Sequence, residues 1–233
     1  MIIAENINSI QDQIRAALSR RELSLTGTGN TVKLVAVTKN HPAELACEAI
    51  SCGMQAIGEN RVQEALSKAE KIGHTVEWHL IGHLQTNKVR QAVEQFDLIH
   101  SVDSQRLAEE INRIAGKMGK RQDILIQVNV ADEDTKFGIR PDELFELTQT
   151  ASLLEHVRLC GLMTIAPYYE DAEEARPIFK ELYRWFSKLK AANIPNTHME
   201  WLSMGMTNDY AVAIEEGANL IRVGTGIFGS RNY

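Results

Sequence analysis

Eight short apolar runs alternate with amphipathic segments from residue 32 onward, and this alternation limits the available folds more than any other feature of the chain. The runs lie near 33–38, 55–59, 77–82, 97–102, 123–130, 157–165, 199–204 and 220–224. Helical patterns fall near 42–52, 60–72, 86–95, 104–118, 141–153, 171–191 and 207–216. A run such as Leu34-Val35-Ala36-Val37 lacks polar alternation and reads as a strand covered on both faces, as in a parallel sheet. Parallel neighbours need right-handed crossovers, which the helices supply, and eight such units close a barrel. An open doubly wound sheet shares the alternation, but no G-x-G-x-x-G follows an early strand. Ahead of the first strand, Ile7, Ile10, Ile14 and Leu18 place an apolar stripe on one side of a helix near 3–20. No Pro/Gly/Ser linker divides the chain. The expectation is an α/β chain: one (β/α)8 barrel domain over 1–233 with an extra N-terminal helix.

The 233 residues suffice for such a barrel. The formal net charge of −6, without a Lys/Arg cluster, argues against nucleic acid or an anionic membrane as a partner. No apolar run approaches the roughly 18 residues of a membrane span, and the N-terminal apolar run is too short for a signal peptide. Cys47, Cys52 and Cys160 form no metal-ligand pattern, and an odd cysteine count without a signal fits a reducing cytoplasm.

Barrels of this kind carry their sites at the C-terminal ends of the strands. Polar and glycine residues gather there: Lys39 after the first strand, "GEN" 58–60 after the second, "LSMGMTND" 202–209 after the seventh and "RVGTGIFG" 222–229 at the eighth. The loops after strands seven and eight form the recurrent phosphate site of such barrels. Ser203, Gly205, Thr207 and Asn208 on one side, and Gly224, Thr225 and Gly226 on the other, offer hydroxyl and backbone donors, with Thr207 or Asn208 as a helix N-cap. Turn glycines and an ordinary cap would produce the same residues at either loop alone. Lys39 is a Schiff-base candidate, because a lysine amine attacks an aldehyde; a lysine snorkelling from a strand end would look the same. An aldehyde at one end of a ligand and a phosphate at the other describe pyridoxal 5′-phosphate (PLP). Arg222 shares a strand face with Gly224 and suits the pyridine nitrogen, to which a guanidinium donates without supporting a pyridinium.

The stretches "LVAVTKN", "IGENRVQEA", "EWHLIGHLQTNK", "SVDS", "ILIQVNVADEDTKFG", "GLMTI" and "LSMGMTNDYAVAIEEGANLIRVGTGIFG" occur in this order. Together they resemble the pyridoxal phosphate homeostasis family, small PLP-binding barrels related to the N-terminal domain of alanine racemase. The resemblance covers nearly the whole chain. It implies that Lys39 carries the Schiff base and that Ser203, Gly224 and Thr225 hold the phosphate with nearby amides such as that of Gly205. It also implies that Arg222 faces the pyridine nitrogen and that Asn60 and Met204 lie near the cofactor. It points to intracellular vitamin B6 balance without robust catalysis, in a cytoplasmic monomer with apo PLP enzymes as acceptors. One departure is Arg61, where many members carry Tyr.

An amino-acid racemase is the rival reading, but it needs a second acid/base that alanine racemases take from an added domain, and such a domain is not expected here. A PLP-independent aldolase would not need Arg222. His79 and His83 fall in a strand-to-loop segment and not on one helical face, so no metal site is expected. Asp132, Glu133 and Asp134 read as a solvated loop, since the glycine and terminal Glu of a calcium loop are misplaced. Leu182, Trp185, Phe186 and Leu189 read as a helix face packed on the barrel, and Cys47 and Cys52 are not expected to pair.

Overall fold

Each strand pairs in parallel with the next in sequence, and the eighth returns to the first, closing the barrel. The computed structural model describes residues 2–133 and 136–229; Asp134 lies outside them. The elements run α1 (Ile2–Arg20), β1 (Lys33–Val37), α2 (Ala43–Ser51), β2 (Ala56–Glu59), α3 (Val62–Ile72), β3 (Glu77–Leu80), α4 (Val89–Gln95), β4 (Leu98–Val102) and α5 (Gln105–Lys117). They continue with β5 (Gln122–Gln127), α6 (Leu144–Ser152), β6 (Val157–Met163), α7 (Arg176–Ala192), β7 (Thr197–Ser203), α8 (Tyr210–Glu215), β8 (Leu220–Val223) and α9 (Thr225–Phe228).

The alternation of side chains along each strand divides the apolar residues into two cores. Inside the barrel, Val35, Ala56, Leu98, Leu125, Cys160, Met163 and Leu220 pack together. Outside it, strand residues such as Ala36, Ile57 and Leu202 meet the inner faces of the helices, including Leu182, Phe186 and Leu189 of α7. α1 buries Ile3, Ile7, Ile10 and Ile14, each worth about 1.5–3 kcal/mol before ordering costs. The stripe turns slightly from the expected one, with Ala17 buried in place of Leu18. α1 sits against α8 and α9 and is pinned by Asn6 Nδ2 donating to the Ile227 carbonyl at 2.9 Å and by Tyr210 donating to Gln13 at 2.7 Å. The extra helix therefore braces the corner where the last two strand-end loops meet.

Element ends differ from the sequence expectation where a tight turn precedes a helix. Residues expected to open α4, α6 and α7 instead form 3-10 turns at 86–88, 141–143 and 172–175. α8 begins at Tyr210 and not at 207, because the Asp209 carboxylate takes the Met206 N–H at 2.6 Å and folds 206–209 into its own turn. Neither Thr207 nor Asn208 is the N-cap; Asp209 holds that position. The short α9 was not foreseen. Among the described residues, no helix is long and apolar enough to cross a membrane.

Candidate cofactor site

A cavity of about 690 Å³ opens at the C-terminal ends of the strands, within the range of small-molecule sites. Lys39, Asn60, Arg222, Gly224 and Thr225 line it, together with Thr207. Gly82 closes one wall, where an added Cβ would come within 2.3 Å of the Asn60 carbonyl oxygen. Only glycine permits that approach.

Lys39 is held by its neighbours. Lys68, on α3, reaches up between the helix and the barrel end. Its ammonium donates to the Thr38 carbonyl at 2.7 Å, to Glu59 at 2.6 Å and to Glu64 at 2.7 Å. Thr38 donates its hydroxyl to the same Glu59 oxygen, and Glu64 accepts the Asn40 N–H. Both residues flanking Lys39 are thus tied to one buried charged cluster, with Asn40 in the left-handed region at φ 60°. Burial raises the Glu59 carboxyl above its usual range, opposed by the hydrogen bonds from Lys68 and Thr38. These partners explain why "GEN" follows the second strand: its Glu anchors the lysine loop, while its Asn lines the cavity.

Opposite this cluster, the loops after β7 and β8 converge. The Thr207 hydroxyl oxygen accepts from the Thr225 hydroxyl at 3.1 Å and from the Gly226 N–H at 3.3 Å. Two hydroxyls therefore meet on one side of the cavity, with the Gly226 amide bracing Thr207 from behind, a grouping that suits an anion. Gly205 adopts φ +92°, where a Cβ would press within 2.7 Å of Ala213 and 2.8 Å of Tyr210. It gives its carbonyl to the Arg222 N–H at 3.1 Å.

Three expected site residues do not line the cavity. Gly205 supports it from behind. Met204 is fully buried among apolar residues, with its amide given to the Leu220 carbonyl. Ser203, expected to offer its hydroxyl to a phosphate, points instead into the barrel. It pairs in register with Leu220, which sets it a layer below Arg222, and its oxygen accepts from Arg222 Nη1.

Arg222 forms the cavity floor and is 3% exposed. Its side-chain partners are neutral: Ser203, and the Thr164 carbonyl at 2.8 Å from Nη2. Burial lowers its pKa to about 10, still cationic at neutral pH. Beneath it, His100 Nδ1 lies 3.0 Å from the Ser203 hydroxyl, His79 Nδ1 lies 2.9 Å from His100 Nε2, and Glu77 lies 3.1 Å from His79 Nε2. Burial pushes both imidazoles below their ordinary range, His100 far below. His79, Arg222 and Lys33 add to this for His100, while Glu77 and Asp97 act the other way on His79. On acidification the unfolded chain takes up these two protons near pH 6.5 while the fold resists them, so folding stability is lost as pH drops below about 6.5, by roughly 1.4 kcal/mol per pH unit per histidine. Urea unfolding between pH 5 and 7.5 measures this; a flat profile would remove both rings from the account.

At the mouth, His83 stacks on Phe137 with ring centroids 3.9 Å apart and sits 3.4 Å from Asp103, whose carboxyl is raised by burial. Phe137 and Tyr168 line the same opening and are largely exposed. His79 and His83 are thus separated, one inside the barrel and one at its rim. Among the described residues, no group of three or more His, Cys, Asp or Glu could hold a metal ion. Arg61 caps α3 through its backbone, without a side-chain capping bond.

The model of the alanine racemase N-terminal domain matches residues 10–232. A relative in Aquifex aeolicus (strain VF5), named Pyridoxal phosphate homeostasis protein, is 43% identical over the whole of both chains. The relative of that name in Escherichia coli (strain K12) is 37% identical, covering 99% of this chain and 97% of its own. PipY of Synechococcus elongatus PCC7942, solved with PLP bound, superposes with a TM-score of 0.82 at 39% identity, covering 97% of this chain and all of its own. With a closed eight-stranded barrel and full-length relatives at this identity, the chain belongs to the alanine racemase N-terminal domain family, alongside the pyridoxal phosphate homeostasis proteins.

Proposed function

We propose that the chain binds PLP in the strand-end cavity, with the Lys39 amine holding it as a Schiff base, and serves intracellular PLP homeostasis. The observation that carries this reading is the meeting, in one cavity, of an anchored lysine, a converging pair of hydroxyls, and a buried guanidinium whose side-chain partners are neutral. The fit is chemical at each point. The Thr207–Thr225–Gly226 corner suits the phosphate, and Gly224 leaves room beside it. Arg222 keeps N–H groups beyond those spent on Ser203 and Thr164 for the ring nitrogen. Asn60 lines the wall next to the lysine. Met204 and Gly205 support the site through backbone and packing, and Ser203 through its hydroxyl, which accepts from Arg222.

When bound, PLP supplies an aldehyde for amines and a ring that withdraws electrons. Arg222 cannot share a proton with the ring nitrogen, so this chain keeps that withdrawal weak. Weak withdrawal alone does not forbid turnover, since racemases use an Arg in the same way; the reading as a holder of PLP is supported by relatives named for homeostasis. We infer a cytoplasmic monomer that passes PLP to apo PLP enzymes. A transfer assay tests this: loaded protein should activate an apo-enzyme faster than cofactor lost by passive dissociation. Steady turnover of an amino acid at roughly 1 s⁻¹ or more would instead favour a racemase-like enzyme.

The phosphate corner has its own test. Thr207→Val with Thr225→Val deletes two hydroxyl donors, each worth about 1.5–3 kcal/mol toward an anion. PLP should then bind a hundredfold or more weakly, while pyridoxal without phosphate is little affected. Unchanged PLP affinity would move the phosphate elsewhere.

A further inference from the structure

A single file of hydrogen bonds crosses the barrel interior from one end to the other. It begins at Glu77, at the first position of β3 and half exposed at the end opposite the cavity, and passes through His79, His100 and Ser203 to Arg222. The charged groups facing it are Lys33 from β1, donating to Glu77 at 2.6 Å; Asp97 ahead of β4; and Asp209 ahead of α8, acting on Arg222.

The two ends fix every proton between them. The Glu77 carboxylate only accepts, and the hydrogen bonds from His79 and Lys33 hold its pKa at about 2. His79 Nε2 must therefore donate to it. A neutral ring has one N–H, so His79 Nδ1 accepts, and His100 Nε2–H donates to it. His100 Nδ1 must then accept from the Ser203 hydroxyl, whose oxygen accepts from Arg222 Nη1. All donors point one way, from guanidinium to carboxylate, and both histidines carry their proton on Nε2. The opposite polarity would leave the Ser203 hydroxyl oxygen with two donors and its proton without an acceptor in the chain, inside a fully buried site.

We propose that His79, His100 and Ser203 are positioning residues for the pyridine nitrogen of the bound cofactor, an assignment that rests on the PLP reading above. The file spends Arg222 Nη1 on Ser203 and the Thr164 carbonyl takes Nη2, so the guanidinium is clamped from below at two points. Its remaining N–H groups are then available at the cavity floor in one orientation. The file also makes Glu77, remote from the cavity, a determinant of how Arg222 is presented.

Two measurements test this. Nitrogen-15 NMR of the cofactor-free protein should find both rings neutral with the proton on Nε2 between pH 6.5 and 8, and Glu77→Gln should leave His100 in mixed tautomers. With PLP labelled at the ring nitrogen, Ser203→Ala should shift the ring-nitrogen resonance and speed PLP release about tenfold, the effect of one lost polar contact. Ser203→Thr, which keeps the hydroxyl, should restore both. A proton on Nδ1 in either ring of the parent, or a folded Ser203→Ala protein with parental resonance and release, would overturn the assignment. Failure of the parent to take up PLP would overturn the PLP reading and this role with it, leaving the tautomer result to stand on its own.

Discussion

Lys39→Ala should abolish the visible absorbance band of bound PLP and the borohydride trapping that accompanies it. Borohydride reduces a Schiff base to a stable secondary amine, so mass analysis of the parent should find the added mass on the peptide that contains residue 39. The phosphate corner and Arg222 do not depend on that amine, so the variant should retain weaker, reversible binding, detectable by equilibrium dialysis and greater for PLP than for pyridoxal. The residual binding separates two contributions that the parent combines: the covalent hold, and the hydroxyls of Thr207 and Thr225. Lysine side chains are abundant on the surface, so borohydride alone could label others; the comparison with the variant removes that ambiguity. Trapping in Lys39→Ala at another lysine, with the visible band retained, would move the Schiff base away from β1.

The barrel was legible because eight largely apolar runs alternate with amphipathic helical segments, and strands such as Leu34–Val37 and Leu220–Val223 show no regular polar alternation. The strand-end rule then gathered Lys39, Asn60, Arg222, Gly224 and Thr225, and the structure brings these five to one cavity. Ser203 went astray for a geometric reason. Whether a residue near a strand end faces the mouth or the layer below depends on the stagger between strands, and the Ser203–Leu220 register does not follow from either strand's sequence. The histidine file was half legible. Glu77 and His79 alternate on one face of β3, and Leu98 and His100 do so on β4, but the sequence does not say that the two rings meet. Lys68 gave no signal at all. It sits in an amphipathic helix rich in Glu and Lys, where such a residue normally faces water, and only packing against the barrel end turns it inward.

Lys68 is also where the largest loss of stability is expected. Its side chain is 6% exposed and Glu59 is fully buried, so Lys68→Met would leave a carboxylate in the interior without its counter-charge. One Glu59 oxygen already lacks a hydrogen-bond partner among the described residues, so nothing nearby replaces the ammonium. Breaking such a pair costs about 3–5 kcal/mol. The double variant Lys68→Met, Glu59→Gln removes the stranded charge and should recover much of that loss, because the amide retains an acceptor for Thr38. The pH dependence follows from the direction of the Glu59 shift. The folded carboxyl is raised by burial, and losing Lys68 raises it further. The cost is therefore full above the folded pKa and shrinks as pH falls toward the unfolded value near 4.3, so mild acid should partly rescue the single variant. The same substitution frees the Thr38 carbonyl and releases Glu64, which holds the Asn40 N–H. Lys39 then loses part of its constraint on each side, although Thr38 keeps its N–H bond to the Gly58 carbonyl at 3.0 Å, and Schiff-base formation should slow even at temperatures where the variant is folded. Chemical unfolding at several pH values, with stopped-flow PLP uptake on the same samples, measures both effects. A Lys68→Met protein as stable as the parent at neutral pH would show that the cluster neither carries stability nor sets the lysine loop.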